Sequence, residues 1–287
     1  MVPTPGFPAA GAFGVLNGVT ARAADDVWAV GDSGSNGRFQ PLVEHFDGSN
    51  WSIFSTPSLS TGGTLNGVTA LSATDIWAVG SIGSAGTGVN RGNLIEHFDG
   101  TSWSAVPSPN SGSFSRGSLF SVSGIASTDV WAVGQIGRWA GTEILHWDGR
   151  VWSTGAAPSG GSLRSVVALA PNNVYAVGAA IEHFDGTSWS IVANPAPNAG
   201  LTGIAAGSAN DIWAVGAFTD PTTGLGQSLT EHFDGTTWSV IPSPRTTPGG
   251  ANISLLTGVT ALSGGTVAAV GFAIDANGID NNVILQS

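Results

Sequence analysis

The sequence has no cysteine and no lysine, and its eight basic side chains are all arginine. Without cysteine there are no disulfides, no thiolate nucleophile and no thiolate-bound zinc. Without lysine there is no Schiff-base chemistry and no lysine-dependent phosphate loop. Charge is scarce at 9% of residues and one-sided, with a net charge of −11. That balance argues against nucleic acid, whose phosphates call for a basic face. No apolar run approaches the ~20 residues of a membrane-spanning helix. Met1-Val2-Pro3-Thr4-Pro5 lacks the basic-then-apolar order of a leader, so none is legible. Glycine, in contrast, is abundant at 43 residues, and hydrophobic residues make up 41%. The chain can therefore fill a core while turning often.

An internal repeat organises almost all of it. The clearest copy runs from Leu65 to Pro109 and reads LNGVTALSATDIWAVG, a variable stretch, then NLIEHFDGTSWSAVPSP. The first half recurs at Leu16, Leu119, Leu163, Leu201 and, degenerately, Leu256; the second recurs at Val43, Ile144, Ile181 and Thr230. One anchor position is held by Trp28, Trp77, Trp131, Tyr175, Trp213 and Ala268, at separations of 49, 54, 44, 38 and 55 residues. These fit the ~40–50-residue period of propeller blades. Within a copy, LNGVTAL, DIWAVG, LIEHF and TSWSAVP read as strands, and helical periodicity is absent. Asp-Gly between the last two strands suits a two-residue type I′ hairpin.

The expected fold is all-β: a single β-propeller over 1–287 with six four-stranded antiparallel blades, whose repeats fall at 16–57, 65–109, 117–155, 161–196, 200–244 and 254–287. The last copy stops within its third strand. Val2-Pro3-Thr4-Pro5 matches Val106-Pro107-Ser108-Pro109, so residues 1–10 are expected to complete the last blade and leave a monomer. The alternative is a strand from another chain, giving an oligomer through the last blade edge.

DIWAVG followed by HFDGTSWSAVPSP resembles the kelch repeat, with a strand ending in glycine, an aromatic-Asp step and a downstream tryptophan. It departs from kelch in a shorter hairpin and in one glycine where kelch has a doublet. DGTSW is also similar to the tectonin repeat of propeller lectins and, more loosely, to the Asp-box of sialidase-type propellers. The resemblance covers nearly the whole chain and implies a propeller. It does not single out an activity, since these families include lectins, adaptors and enzymes.

Subtracting the repeat removes most candidate chemistry. All five histidines, His45, His97, His146, His183 and His232, occupy one repeat position and are expected to bond within their own blades, to Asp26, Asp75, Asp129 or Asp211. None is left for a Ser–His–Asp set. Thirteen of nineteen acids are repeat positions, including Glu44, Glu96, Glu182 and Glu231; Asp32, Asp220, Asp275 and Asp280 remain as loop carboxylates of different blades from which a glycosidase would draw its pair. A sialidase-type tyrosine nucleophile has no candidate, because the single tyrosine, Tyr175, fills a core tryptophan position. Asp275, Asn277 and Asp280 are a candidate calcium site, supplying hard oxygen ligands at close spacing where Asn-Gly is equally a turn signal; no other cofactor is implied.

Variation concentrates in the connections between second and third strands and between blades. Alternating strand direction brings both sets to one face of a propeller. The candidate ligand-binding residues there are Arg38, Phe39, Arg91, Arg116, Arg138, Trp139, Phe218 and Arg245. The expectation is a non-catalytic binding or adhesion module for glycan or protein, without membrane insertion, at the cell surface or outside the cell. The alternatives are a structural subunit of an extracellular polymer or surface layer, and a glycan-active hydrolase or lyase.

Overall fold

The computed structural model describes residues 13–35, 38–83, 92–109, 117–137, 141–158, 160–242, 253–262, 266–274 and 280–286. They form an all-β, six-bladed propeller fold whose chain parts into two compact units, 1–155 and 156–287.

The first unit holds three blades, each an antiparallel sheet in chain order. Blade one is β1 (Phe13–Ala23), β2 (Asp26–Ser35), β3 (Arg38–Phe46) and β4 (Trp51–Phe54). Blade two is β5 (Gly63–Ser72), β6 (Asp75–Ile82), β7 (Gly92–Phe98) and β8 (Trp103–Ala105). Blade three is β9 (Ser118–Ala126), β10 (Asp129–Ile136), β11 (Gly141–Trp147) and β12 (Trp152–Thr154). The DxWAV segments of β2, β6 and β10 are buried on both sides, so they read as continuous apolar runs.

Alternation along each strand sends one set of side chains to the preceding blade and the other to the following one. Trp28, Val30 and Val43 of blade one thus pack on Leu65, Ile76, Ala78, Phe98 and Trp103 of blade two. Trp77, Val79 and Ile95 of blade two pack the same way on Leu119, Val130, Ala132 and Trp152 of blade three. Each Val, Leu, Ile or Phe among these buried side chains contributes roughly 1.5–3 kcal/mol.

The second unit repeats the plan. Blade four is β13 (Leu163–Ala170), β14 (Asn173–Gly178), β15 (Ile181–Phe184) and β16 (Trp189–Val192). Blade five is β17 (Gly200–Ser208), β18 (Asp211–Thr219), β19 (Gly226–Phe233) and β20 (Trp238–Ile241). The last sheet is β21 (Ile253–Ala261), β22 (Val267–Ile274) and β23 (Asp280–Gln286), three strands among the described residues. The segment expected to complete it, residues 1–10, lies outside the described residues. Tyr175, Val177 and Ile181 pack on Leu201, Ile212, Leu229 and Trp238, and Val215 packs on Leu256 and Ala269.

The Asp-Gly hairpins differ from a two-residue type I′ turn. Phe46 pairs with Trp51, leaving a four-residue loop, and only the glycine has positive φ, at 91° for Gly48. The reason is the aspartate side chain: Asp47 Oδ1 accepts from the amides of Ser49 and Asn50 at 2.9 and 2.8 Å, which holds the loop without a second left-handed residue. Asp99, Asp148, Asp185 and Asp234 cap their loops in the same way. Those hydrogen bonds hold the Asp99 carboxyl down at about 2, led by the one from the Thr101 hydroxyl.

Candidate functional site

The histidines face into the blades. Each is the cross-strand partner of the anchor aromatic: Trp28 opposite His45, Trp77 opposite His97, Trp131 opposite His146, Tyr175 opposite His183, Trp213 opposite His232. The rings lie 4.1–4.4 Å apart, centroid to centroid. His Nε2 bonds Asp26, Asp75, Asp129 and Asp211 at 2.8–2.9 Å, as the sequence led us to expect. In three blades the same Asp Oδ1 also accepts from the indole: Trp28, Trp131 and Trp213 donate at 2.9, 2.9 and 2.7 Å. Trp, His and Asp thus form a buried-edge triad that ties the second strand to the third. At Asp26, burial opposes ionisation but is outweighed by hydrogen bonds from Arg22, His45 and Trp28, so its pKa is lowered. Replacing Asp129 by Ala should strand both donors and cost about 2–3 kcal/mol; a urea-midpoint shift in D129A measures it.

The repeat glutamates are more deeply placed than their repeat position alone implied. Glu44, Glu96, Glu182 and Glu231 are all within 1% of complete burial. Burial pushes Glu96 up to about 8 and raises Glu44; it takes Glu231 to about 7 against an opposing hydrogen bond from the Ala196 amide. The signal was present in the alternation: Glu96 shares its strand face with Leu94 and Phe98, both core residues. In blade three Leu145 stands at this position, and Glu143 two residues earlier accepts a 2.7 Å hydrogen bond from buried Asn93.

The expected loop residues are distributed differently. The β2–β3 connection is only residues 36–37, because ladder pairing runs on through Asp32 opposite Pro41 and Ser35 opposite Arg38. Backbone pairing needs no particular side chain, so the strands extend into stretches that look variable in sequence. Asp32 is consequently a buried strand residue accepting a 2.7 Å hydrogen bond from Thr64, not a loop carboxylate. Phe39 lies in β3, 8% exposed, with its ring edge-on to Phe13 at 5.2 Å, so packing occupies it. Phe218 lies in β18, half-buried against the core between blades four and five. Asp220 caps its own loop through the amides of Thr222 and Thr223. Arg38 and Asp280 stand at the starts of β3 and β23. Arg91, Arg116, Arg138, Trp139, Arg245, Asp275 and Asn277 lie outside the described residues. Among the described residues no three His, Asp or Glu side chains gather as metal ligands.

No protein-family model matches the sequence, and no curated protein matches it. Solved structures do share the architecture. The chain is similar to YCF48 bound to a D1 peptide, at 15% identity and TM-score 0.54, over 95% of this chain and 78% of that one. It is similar to the GH74 xyloglucanase from Xanthomonas campestris, at 13% identity and TM-score 0.63, over 96% of this chain and 44% of that one. The BP39L lectin from Burkholderia pseudomallei matches at 14% identity and TM-score 0.50, over 91% and 77%. Identities this low carry the fold and nothing finer. A peptide binder, a lectin and a hydrolase share it, so function has to be argued from this chain's own residues.

Proposed function

We propose that the chain is a non-catalytic binding module of kelch-like or tectonin-like repeats, exported to the cell surface or beyond, that recognises glycan or protein through the loops joining second to third strands and blade to blade. The observation that carries this reading is the commitment of the polar repeat residues to the scaffold. Histidine and aspartate are held in hydrogen bonds within the blades, and the repeat glutamates are buried. Variation is left to the loops, where a rigid scaffold can present it. Arg138 and Trp139 supply the residue types most favoured as binding anchors. Two of the structural neighbours, a lectin and a peptide-bound propeller, are binding proteins of the two kinds proposed.

A glycan array and a peptide array probed with the whole chain test this. Loss of at least tenfold in signal is expected in the R138A/W139A double variant, about 1.4 kcal/mol or more. Blank arrays, or arrays on which the double variant loses none of the wild-type hits, would sink the reading.

A further inference from the structure

Blade four replaces two side chains of the triad while keeping its histidine: Asn173 stands where blades one, two, three and five have Asp, and Tyr175 where they have Trp. Tyr175 still lies over His183 at 4.4 Å, and His183 Nε2 shares a 2.9 Å hydrogen bond with Asn173 Oδ1. A phenol is smaller than an indole, however. Its centroid stands 5.7 Å from Phe233 and 6.1 Å from Trp238 across the blade junction, against 5.1 and 5.8 Å for Trp28 to Phe98 and Trp103. At this junction, within the unit 156–287, a solvent-open cavity of about 370 Å³ lies between Asn172, Asn173, Tyr175, His183, Asn210 and Phe233.

We infer that this cavity binds one neutral sugar ring. Its volume lies at the small end of ligand pockets, which run from ~300 to 1,000 Å³. Three carboxamides line it; those of Asn172 and Asn210 can each donate to one hydroxyl and accept from the next, as a vicinal diol requires, while Asn173 Oδ1 is shared with His183. Tyr175, itself a buried residue, is part of the lining. Phe233 adds an aromatic face for the C–H side of a ring. An acidic ligand finds no arginine in the lining. It also meets an unfavourable field, because Asp185 is near enough to act on His183. A cationic ligand finds no carboxylate in the lining. Burial lowers the His183 pKa, and its Nε2 is taken up with Asn173 Oδ1. The lining is thus polar, uncharged and part aromatic, and two of its residues, Asn173 and Tyr175, are substitutions that break the triad of blades one, two, three and five. The cavity is built from the Asn172–Asn173, Asn210 and Gly235 turns of the unit 156–287, whereas Arg138 and Trp139 belong in sequence to the unit 1–155.

Calorimetry and saturation-transfer NMR on the whole chain, with glucose, galactose, mannose, fucose and N-acetylglucosamine up to ~20 mM and glucuronate as the acidic comparison, test the inference. At least one neutral sugar should bind with a millimolar Kd or tighter. The N173D/Y175W variant restores the triad of the other blades and fills the cavity. It should keep or raise Tm and abolish that binding, whereas R138A/W139A should leave it unchanged. Should N173D/Y175W fail to fold, Asn210→Ala, at an exposed turn, should still weaken binding at least tenfold. The inference falls if no neutral sugar binds, if glucuronate binds better, or if binding survives in the cavity variants. None of those outcomes touches the loop-face reading, which is read on R138A/W139A.

Discussion

Glu96→Gln should raise stability at pH 9 by about 2–4 kcal/mol and leave it nearly unchanged at pH 5. Glu96 is completely buried, and burial lifts its pKa from 4.5 to about 8. Between those values the folded chain keeps a proton that the unfolded chain has released. Folding therefore takes up a proton in that window, and stability falls as pH rises from about 4.5 to about 8. Glutamine has the shape of the protonated acid and never ionises, so it removes the slope. Thermal melts at pH 5, 7 and 9 measure the effect: the wild-type Tm should decline toward pH 9, and E96Q should stand several degrees above it there. Glu231, raised to about 7, leaves a smaller residual slope that E231Q would remove. A wild-type Tm that climbs from pH 6 to 9, or an E96Q profile parallel to wild type, would overturn this account.

The second large effect is expected at a glycine. Gly134 closes the DVWAVG motif within β10 of blade three, where the pairing of β9 with β10 shifts register between Val133 and Gly134. The bulge brings the Ser118 carbonyl oxygen and the Leu119 Cα against the glycine, so an added Cβ would overlap the oxygen and lie 2.8 Å from the Cα. Both neighbours are backbone and cannot rotate away. G134A should cost more than ~3 kcal/mol, the range of severe core changes, and lower Tm by roughly 10 °C. Gly200 has open space around its Cβ position, and G200A should stay within ~0.5 kcal/mol of wild type. Denaturant melts of the pair distinguish a packing requirement from the general backbone entropy that any glycine-to-alanine change alters. Gly31, Gly80, Gly178, Gly216 and Gly271 meet the carbonyl of their own first strand in the same way. One backbone contact thus explains the glycine that closes the AVG motif in every copy.

The sequence by itself determined the repeat, the strand count of a blade and the partners of the histidines. These are local and periodic, and a pattern repeated five times averages out accidents. The second and third strands are neighbours in sequence and in space, so pairing Trp28 with His45 and Asp26 needs only a hairpin. The tertiary structure decided whatever depends on the next blade or on how far a ladder runs. Glu96 and Glu231 are buried because the blades close over them, and their raised pKa values follow from that closure. Asp32 and Phe39 joined the core because backbone pairing continued past the recognisable motif. The substitution of Tyr175 for Trp is visible in the sequence. The cavity beside it is not, because its far wall, Asn210 and Phe233, belongs to the following blade.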